Sequence, residues 1–242
     1  MMKIKKQLYY SVVVASFVCG IGISEVLHAI QKRELTPLQV KVVAEAQKLL
    51  ESAEVSYVFG GYSLGDPGEC KSCNECLEQK KPLPKARILE CPICSSCSLD
   101  CSHFIQLVFN EAFREGGLKT HYLTSADMLA LNAATLKKRY KYIDLGRDVK
   151  RAEPGDLLVY RGHVVMLEAL SSVEIIKLSE QQKHKTNSSA LSVRGDIIHA
   201  TGGLAIRSPG AAIQRERFVD LADFRGPLQR ILRHQAFYLK KI

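Results

Sequence analysis

The sequence predicts an α+β domain in which helices pack on one side of an antiparallel sheet, with a cysteine-rich insertion between two of the helices. Three observations carry this. Amphipathic stretches at helical spacing fill the first half of the 242 residues. Short apolar runs separated by Gly/Pro turn signals fill the second half. Between them, Gly65 to Ser98 is rich in Cys, Pro, Lys and Glu and has little periodicity. A run of helices followed by a run of strands gives one sheet covered on one face.

Thr36-Pro37 has the residue types of an N-cap and a first helical position, and Val40, Val43, Ala46, Leu49 and Leu50 then recur at helical spacing. This predicts a helix from about Pro37 to Ser52. Tyr57-Val58-Phe59 runs into Gly60-Gly61, where a turn or a close backbone approach must follow. After the insertion, Phe104, Leu107, Val108, Ala112 and Phe113 form an apolar helical face that Gly116-Gly117 terminates. A further helical segment spans Ser125 to Lys138.

The strands come next. Asp156 to Tyr160 follows the turn Glu153-Pro154-Gly155, and His163 to Glu168 follows Arg161-Gly162. A two-residue link between apolar runs is a hairpin signature. Asp196 to Ala200 is a third strand, ending at Gly202-Gly203. Ser171 to Arg194 reads as a long polar connection with a mobile centre. Phe218 to Ile242 supplies one more helical turn and one more strand.

Composition bounds the function. Hydrophobic residues make up 46% and charged residues 24%, as in soluble globular proteins. The net charge of +9 favours anionic partners, such as a carboxylate-rich cell-wall polymer. The basic residues are scattered and no basic arm or aromatic-interleaved stripe occurs, so nucleic acid is not expected as a partner. There is no glycine-rich nucleotide or dinucleotide fingerprint, and catalysis is expected to need no cofactor.

At the N-terminus, Lys3, Lys5 and Lys6 precede an apolar run from Leu8 to Ile23, closed by Ser24 and Glu25. Residues 1–29 therefore read as a signal peptide or an N-terminal membrane anchor. Leu27-His28-Ala29 is a weak cleavage site. Lipidation at Cys19 is a third alternative, which bulky Phe17 and Val18 disfavour. All three place the domain outside the cytoplasmic membrane, in the periplasm or cell envelope of a bacterium.

Cys101 opens the apolar helix in Asp100-Cys101-Ser102. The positive end of a helix dipole is expected to lower a thiol pKa and favour thiolate there. Cys70, Cys73 and Cys76 run in steps of three, as do Cys91, Cys94 and Cys97, whereas Cys101 falls four past Cys97 and so outside that pattern. A thiol nucleophile needs a base. His163 starts a strand after a hairpin turn, and His199 lies within an apolar strand. Each taken alone fits a structural role, a hairpin-tip histidine and a core histidine. Together with Cys101 they fit a three-part site.

The set Tyr57-Val58-Phe59-Gly60-Gly61, Asp100-Cys101-Ser102, Pro154-Gly155-Asp156-Leu157, His163-Val164-Val165-Met166 and Ile198-His199-Ala200 resembles NlpC-type peptidoglycan endopeptidases. The resemblance covers residues 36–242, in the family's order. It implies a papain-like fold, Cys101 as nucleophile, His163 as base and His199 as the orienting residue. It implies that Tyr57 lines the site and helps stabilise the oxyanion with the Cys101 N–H, and that Asp100 and Ser102 flank this substrate region. The implied reaction is hydrolysis of a stem-peptide amide, typically γ-D-glutamyl to a diamino acid, through a thioester. Peptidoglycan stem peptides are the implied partner.

Three departures stand out: His103 where the family has Gly, the insertion at residues 65–98, and a long gap between His163 and His199. Other readings are a cysteine amidase or hydrolase acting on a different acyl substrate, and a cysteine-rich structural protein of the envelope. The two cysteine triplets fit either a structural zinc site or three disulfides, for which 15 pairings exist. In either case they staple a lobe too small to hold itself together, set where it could narrow the cleft or make activity depend on redox state.

Overall fold

The computed structural model describes residues 34–80, 90–175, 191–202, 210–218 and 226–239. The reading of residues 1–29, Cys19 included, lies outside these, as do the centre of the Ser171 to Arg194 connection and 219–225 of the tail.

Helix α1 spans Pro37–Ser52, as expected. Thr36 accepts the Gln39 N–H, and the Gln39 side chain reaches back to the Thr36 N–H. This reciprocal cap satisfies two orphan donors of the first turn. The buried stripe is Gln39, Val42, Ala46 and Leu49, while Val40 is 53% exposed. The stripe is therefore rotated from the expected Val40 and Val43, because buried Gln39 is held by Glu153 and the Pro154 carbonyl.

Three two-residue strands follow: β1 (Ser56–Tyr57), β2 (Tyr62–Ser63) and β3 (Ser98–Leu99). They form a small sheet in the order β1-β3-β2, with β1 parallel and β2 antiparallel to β3. Gly61 permits this packing, since a β-carbon there would lie 2.7 Å from the Ser98 carbonyl carbon.

The insertion is more regular than its sequence suggests. Helix α2 spans Pro67–Gln79, capped by Asp66 and Glu69, and a 3-10 turn spans Pro92–Ser95. The triplets are joined as nested disulfides: Cys70–Cys97, Cys73–Cys94 and Cys76–Cys91. Cysteines at i, i+3 and i+6 lie along one side of α2, so each rung meets the returning segment in antiparallel order.

Helix α3 spans Cys101–Phe113. The expected single helix from Ser125 to Lys138 is two, α4 (Ser125–Ala130) and α5 (Ala133–Tyr140). The break falls at Leu131, and Asn132 caps the second helix by accepting the Thr135 N–H.

The main sheet is six-stranded and wholly antiparallel: β4 (Tyr142–Asp144), β5 (Leu157–Tyr160), β6 (His163–Ile175), β7 (Leu191–Ala200), β8 (Ile213–Phe218) and β9 (Arg230–His234). Its order is β4-β9-β5-β6-β7-β8. Tyr160 pairs with His163 across the two-residue turn, where Gly162 takes φ +74° as a tight hairpin requires. Strands β6 and β7 extend well into what the sequence suggested was connection. Strands β4 and β8 were not anticipated. The tail gives β9 and a 3-10 turn, Gln235–Tyr238, as expected.

Phe104, Val108, Phe109 and Phe113 of α3 pack with Leu157, Val159, Val164, Met166 and Ile198 of the sheet. Burying each phenylalanine contributes about 1.5–3 kcal/mol. Alternate sheet residues Leu158, Tyr160, Val165, Leu167 and Ile197 form a second cluster beneath Leu145, Val149 and Leu228. The α+β plan of helices on an antiparallel sheet is thus observed. Among the described residues no helix is long and apolar enough to cross a membrane.

Candidate active site

Asp100 builds the start of α3. Its Oδ1 accepts the N–H groups of Ser102 (2.9 Å) and His103 (2.8 Å) and the Ser102 hydroxyl (2.8 Å). Its Oδ2 accepts the Gly60 N–H at 3.3 Å, and its own N–H donates to the Gly61 carbonyl. The Asp100-Cys101-Ser102 and Tyr57-to-Gly61 segments are therefore interlocked. The Asp100 carboxylate, read from sequence as part of the substrate region, is occupied as a helix cap.

Cys101 is 5% exposed and is the free cysteine among the described residues. Its sulfur receives the backbone N–H of Val164, the residue after His163, together with those of Cys101 and Ser102. Burial nevertheless pushes the thiol up to about 11, and the Asp100 carboxylate adds to the rise. The expected fall in thiol pKa is reversed: desolvation of the thiolate outweighs the helix-end amides. Burial thus favours the neutral thiol over the thiolate.

His163 is 2% exposed and His199 fully buried. His163 Nε2 lies 2.7 Å from His199 Nδ1, with the rings close to perpendicular. The long separation in sequence is spanned because β6 and β7 are neighbours in the sheet. Tyr57 also reaches this end of β7: a β-carbon at Gly202 would come within 3.0 Å of its ring.

His103, where the sequence departs from the family it resembles, stacks on Tyr122 with ring centroids 4.2 Å apart. Its Nδ1 is 3.1 Å from Asp100 Oδ1 and 3.3 Å from the Tyr122 hydroxyl, which lies 3.1 Å from Ser102 Oγ. The imidazole thus joins the cap network rather than standing in solvent. Phe59 and Tyr62 are 68% and 56% exposed.

Sequence reasoning missed two residues. Tyr122 sits in an irregular stretch with no periodic signal. Glu216, whose Oε1 is 3.3 Å from His199 Nε2, sits on the unanticipated strand β8. The cysteine triplets are engaged as disulfides, and among the described residues no group of three or more His, Cys, Asp or Glu side chains is arranged to hold a metal ion. Comparison with protein-family models and with curated proteins finds no match for the chain.

Proposed function

We propose that the chain is an NlpC-type cysteine endopeptidase of papain-like fold that hydrolyses an amide of the peptidoglycan stem peptide. The observation that carries this reading is the 2.7 Å contact between His163 Nε2 and His199 Nδ1, beside a sulfur seated on the Val164 amide. A lone buried cysteine or a lone buried histidine has a structural explanation. A cysteine at a helix start, against the strand that opens with one of two hydrogen-bonded histidines, has the parts of acyl-transfer chemistry.

His163 engages His199 through Nε2, so Nδ1 is the nitrogen with which it takes the thiol proton. The sulfur then attacks the amide carbonyl carbon. Negative charge developing on the carbonyl oxygen is met by the Cys101 N–H and the Tyr57 side chain. The His163 imidazolium returns its proton to the departing amine, and the C–N bond breaks to leave a thioester on Cys101. Water, deprotonated by His163, attacks the thioester. The free carboxylate leaves and the thiol is restored. Because burial favours the neutral thiol, His163 is assigned to take the proton as the sulfur attacks.

No cofactor enters this sequence. The disulfide ladder fits an oxidising compartment, and with residues 1–29 it supports export to the periplasm or envelope. The net charge of +9 suits a carboxylate-bearing stem. The test is digestion of isolated peptidoglycan followed by identification of the new termini. Fragments ending at γ-D-glutamate support the reading. Cleavage at the sugar–peptide bond would make it an amidase, and intact material would favour a different substrate or a structural role.

A further inference from the structure

We infer that Glu216 is a positioning residue for the histidine pair, extending the site to Cys101–His163–His199–Glu216. This rests on the cysteine-hydrolase reading above. A single proton lies between His163 Nε2 and His199 Nδ1 at 2.7 Å. If His163 is to accept the thiol proton at Nδ1, it must carry its own proton on Nε2, and His199 Nδ1 must accept it. A neutral His199 that accepts at Nδ1 carries its proton on Nε2. That nitrogen lies 3.3 Å from Glu216 Oε1, a charge contact that lacks hydrogen-bond alignment in this structure, and the carboxylate is acceptor-only when ionised.

The opposite chain is equally consistent internally but silent chemically. A proton on His199 Nδ1 would be donated to His163 Nε2 and would force the His163 proton onto Nδ1, the nitrogen that the proposed mechanism uses to take the thiol proton. Glu216 favours the first by setting a negative charge 3.3 Å from Nε2, which stabilises a proton on that nitrogen. Strand geometry places it there. Glu216 pairs with Ile197, two residues before His199, so both lie on one face of the β7–β8 ladder. Its strand neighbours Arg215 and Arg217 pair with Glu168 and Asp196. The Glu216 side chain is 24% exposed and His199 fully buried, so the carboxylate acts on the ring from a partly desolvated position.

The experiment is nitrogen-15 NMR of the imidazoles in the oxidised full chain, beside the kinetics of Glu216→Ala and Glu216→Gln. The wild type is expected to show His199 protonated on Nε2. Glu216→Gln keeps an acceptor oxygen and should retain that tautomer, with kcat within a few-fold of wild type. Glu216→Ala should redistribute the proton and lower kcat on the order of 10- to 100-fold with KM little changed. A wild-type His199 protonated on Nδ1 would overturn the inference, as would a Glu216→Ala variant with unchanged tautomer and kcat. If the wild type hydrolyses no amide, the enzyme reading fails, while the tautomer measurement still decides the role of Glu216.

Discussion

Asp156 and Arg233 meet in a buried fork, with Nε on Oδ1 at 2.8 Å and Nη2 on Oδ2 at 2.7 Å. This pair explains the Pro154-Gly155-Asp156 turn. Arg233 on β9 also reaches Glu153 and the Arg151 carbonyl, fixing the entry to β5 and hence the hairpin that presents His163. Burial pushes the Asp156 carboxyl up to about 6 even though Arg233 draws it down, so desolvation is the larger effect at that group.

Replacing one partner strands the other. Asp156→Asn is expected to destabilise the fold by about 3–5 kcal/mol, read by denaturant unfolding. The double change Asp156→Leu with Arg233→Met removes both charges and should recover most of that loss. A single variant as stable as wild type would contradict the buried-pair account.

The Cys101 thiol, pushed up by burial, should ionise at a pH of about 11, read as the pH-dependent thiolate absorbance that Cys101→Ser abolishes. Asp100→Asn keeps an oxygen for the helix cap and removes the nearby negative charge. It is therefore expected to lower the thiol pKa while costing less stability than Asp100→Ala, for which cap loss amounts to about 1 kcal/mol. A wild-type thiol already ionised at neutral pH would show a preformed ion pair instead.

The ladder is expected to survive in the purified chain. Proteolytic mapping should return the pairs Cys70–Cys97, Cys73–Cys94 and Cys76–Cys91, and metal analysis should find no stoichiometric zinc. Loss of the outermost bridge should cost about 2 kcal/mol, because the intact Cys73–Cys94 bridge leaves only the short loop through 70–73 and 94–97 to be freed. Because Cys97 leads directly into β3 and Asp100, reduction should also lower activity. Zinc bound by reduced cysteines in the active form would contradict the pairing.

His234 carries a pH signature of its own. It is buried against Phe109, Phe113 and Tyr142, accepts the Ala236 N–H at Nδ1, and burial lowers its pKa from 6.5 to about 4, with Lys141 adding to the fall. A base with a depressed folded pKa is protonated first in the unfolded chain, so its contribution is lost as pH falls from about 6.5 to about 4. Wild type should lose about 3 kcal/mol more than His234→Phe over that window. Parallel stability curves would contradict this.

How far the sequence carried varies by element, for physical reasons. The bounds of helix α1 were legible because Thr36 and Pro37 are local signals, whereas its buried stripe was not, because Gln39 is held inside by Glu153 and the Pro154 carbonyl. The β5–β6 hairpin was legible because Arg161-Gly162 can only turn tightly. Cys101, His163 and His199 were legible as residue types in order, but the ring-to-ring contact is a consequence of β6–β7 pairing, which no local pattern encodes. Helix α2 was hidden because its buried positions are cysteines, which carry no ordinary amphipathic signal. Glu216 was hidden because Gln214-Arg215-Glu216-Arg217 is polar on both faces, and its strand character comes from pairing with β7. The reversed thiol pKa was hidden because burial is a property of the packed site, not of the helix end.

The most direct test of the central claim is mass spectrometry of a defined stem peptide after incubation with the oxidised chain, beside Cys101→Ala. The account expects a product cut after γ-D-glutamate with the wild type and intact peptide with the variant. Equal cleavage by both would contradict Cys101 as nucleophile. Intact peptide in both would contradict the stem peptide as substrate.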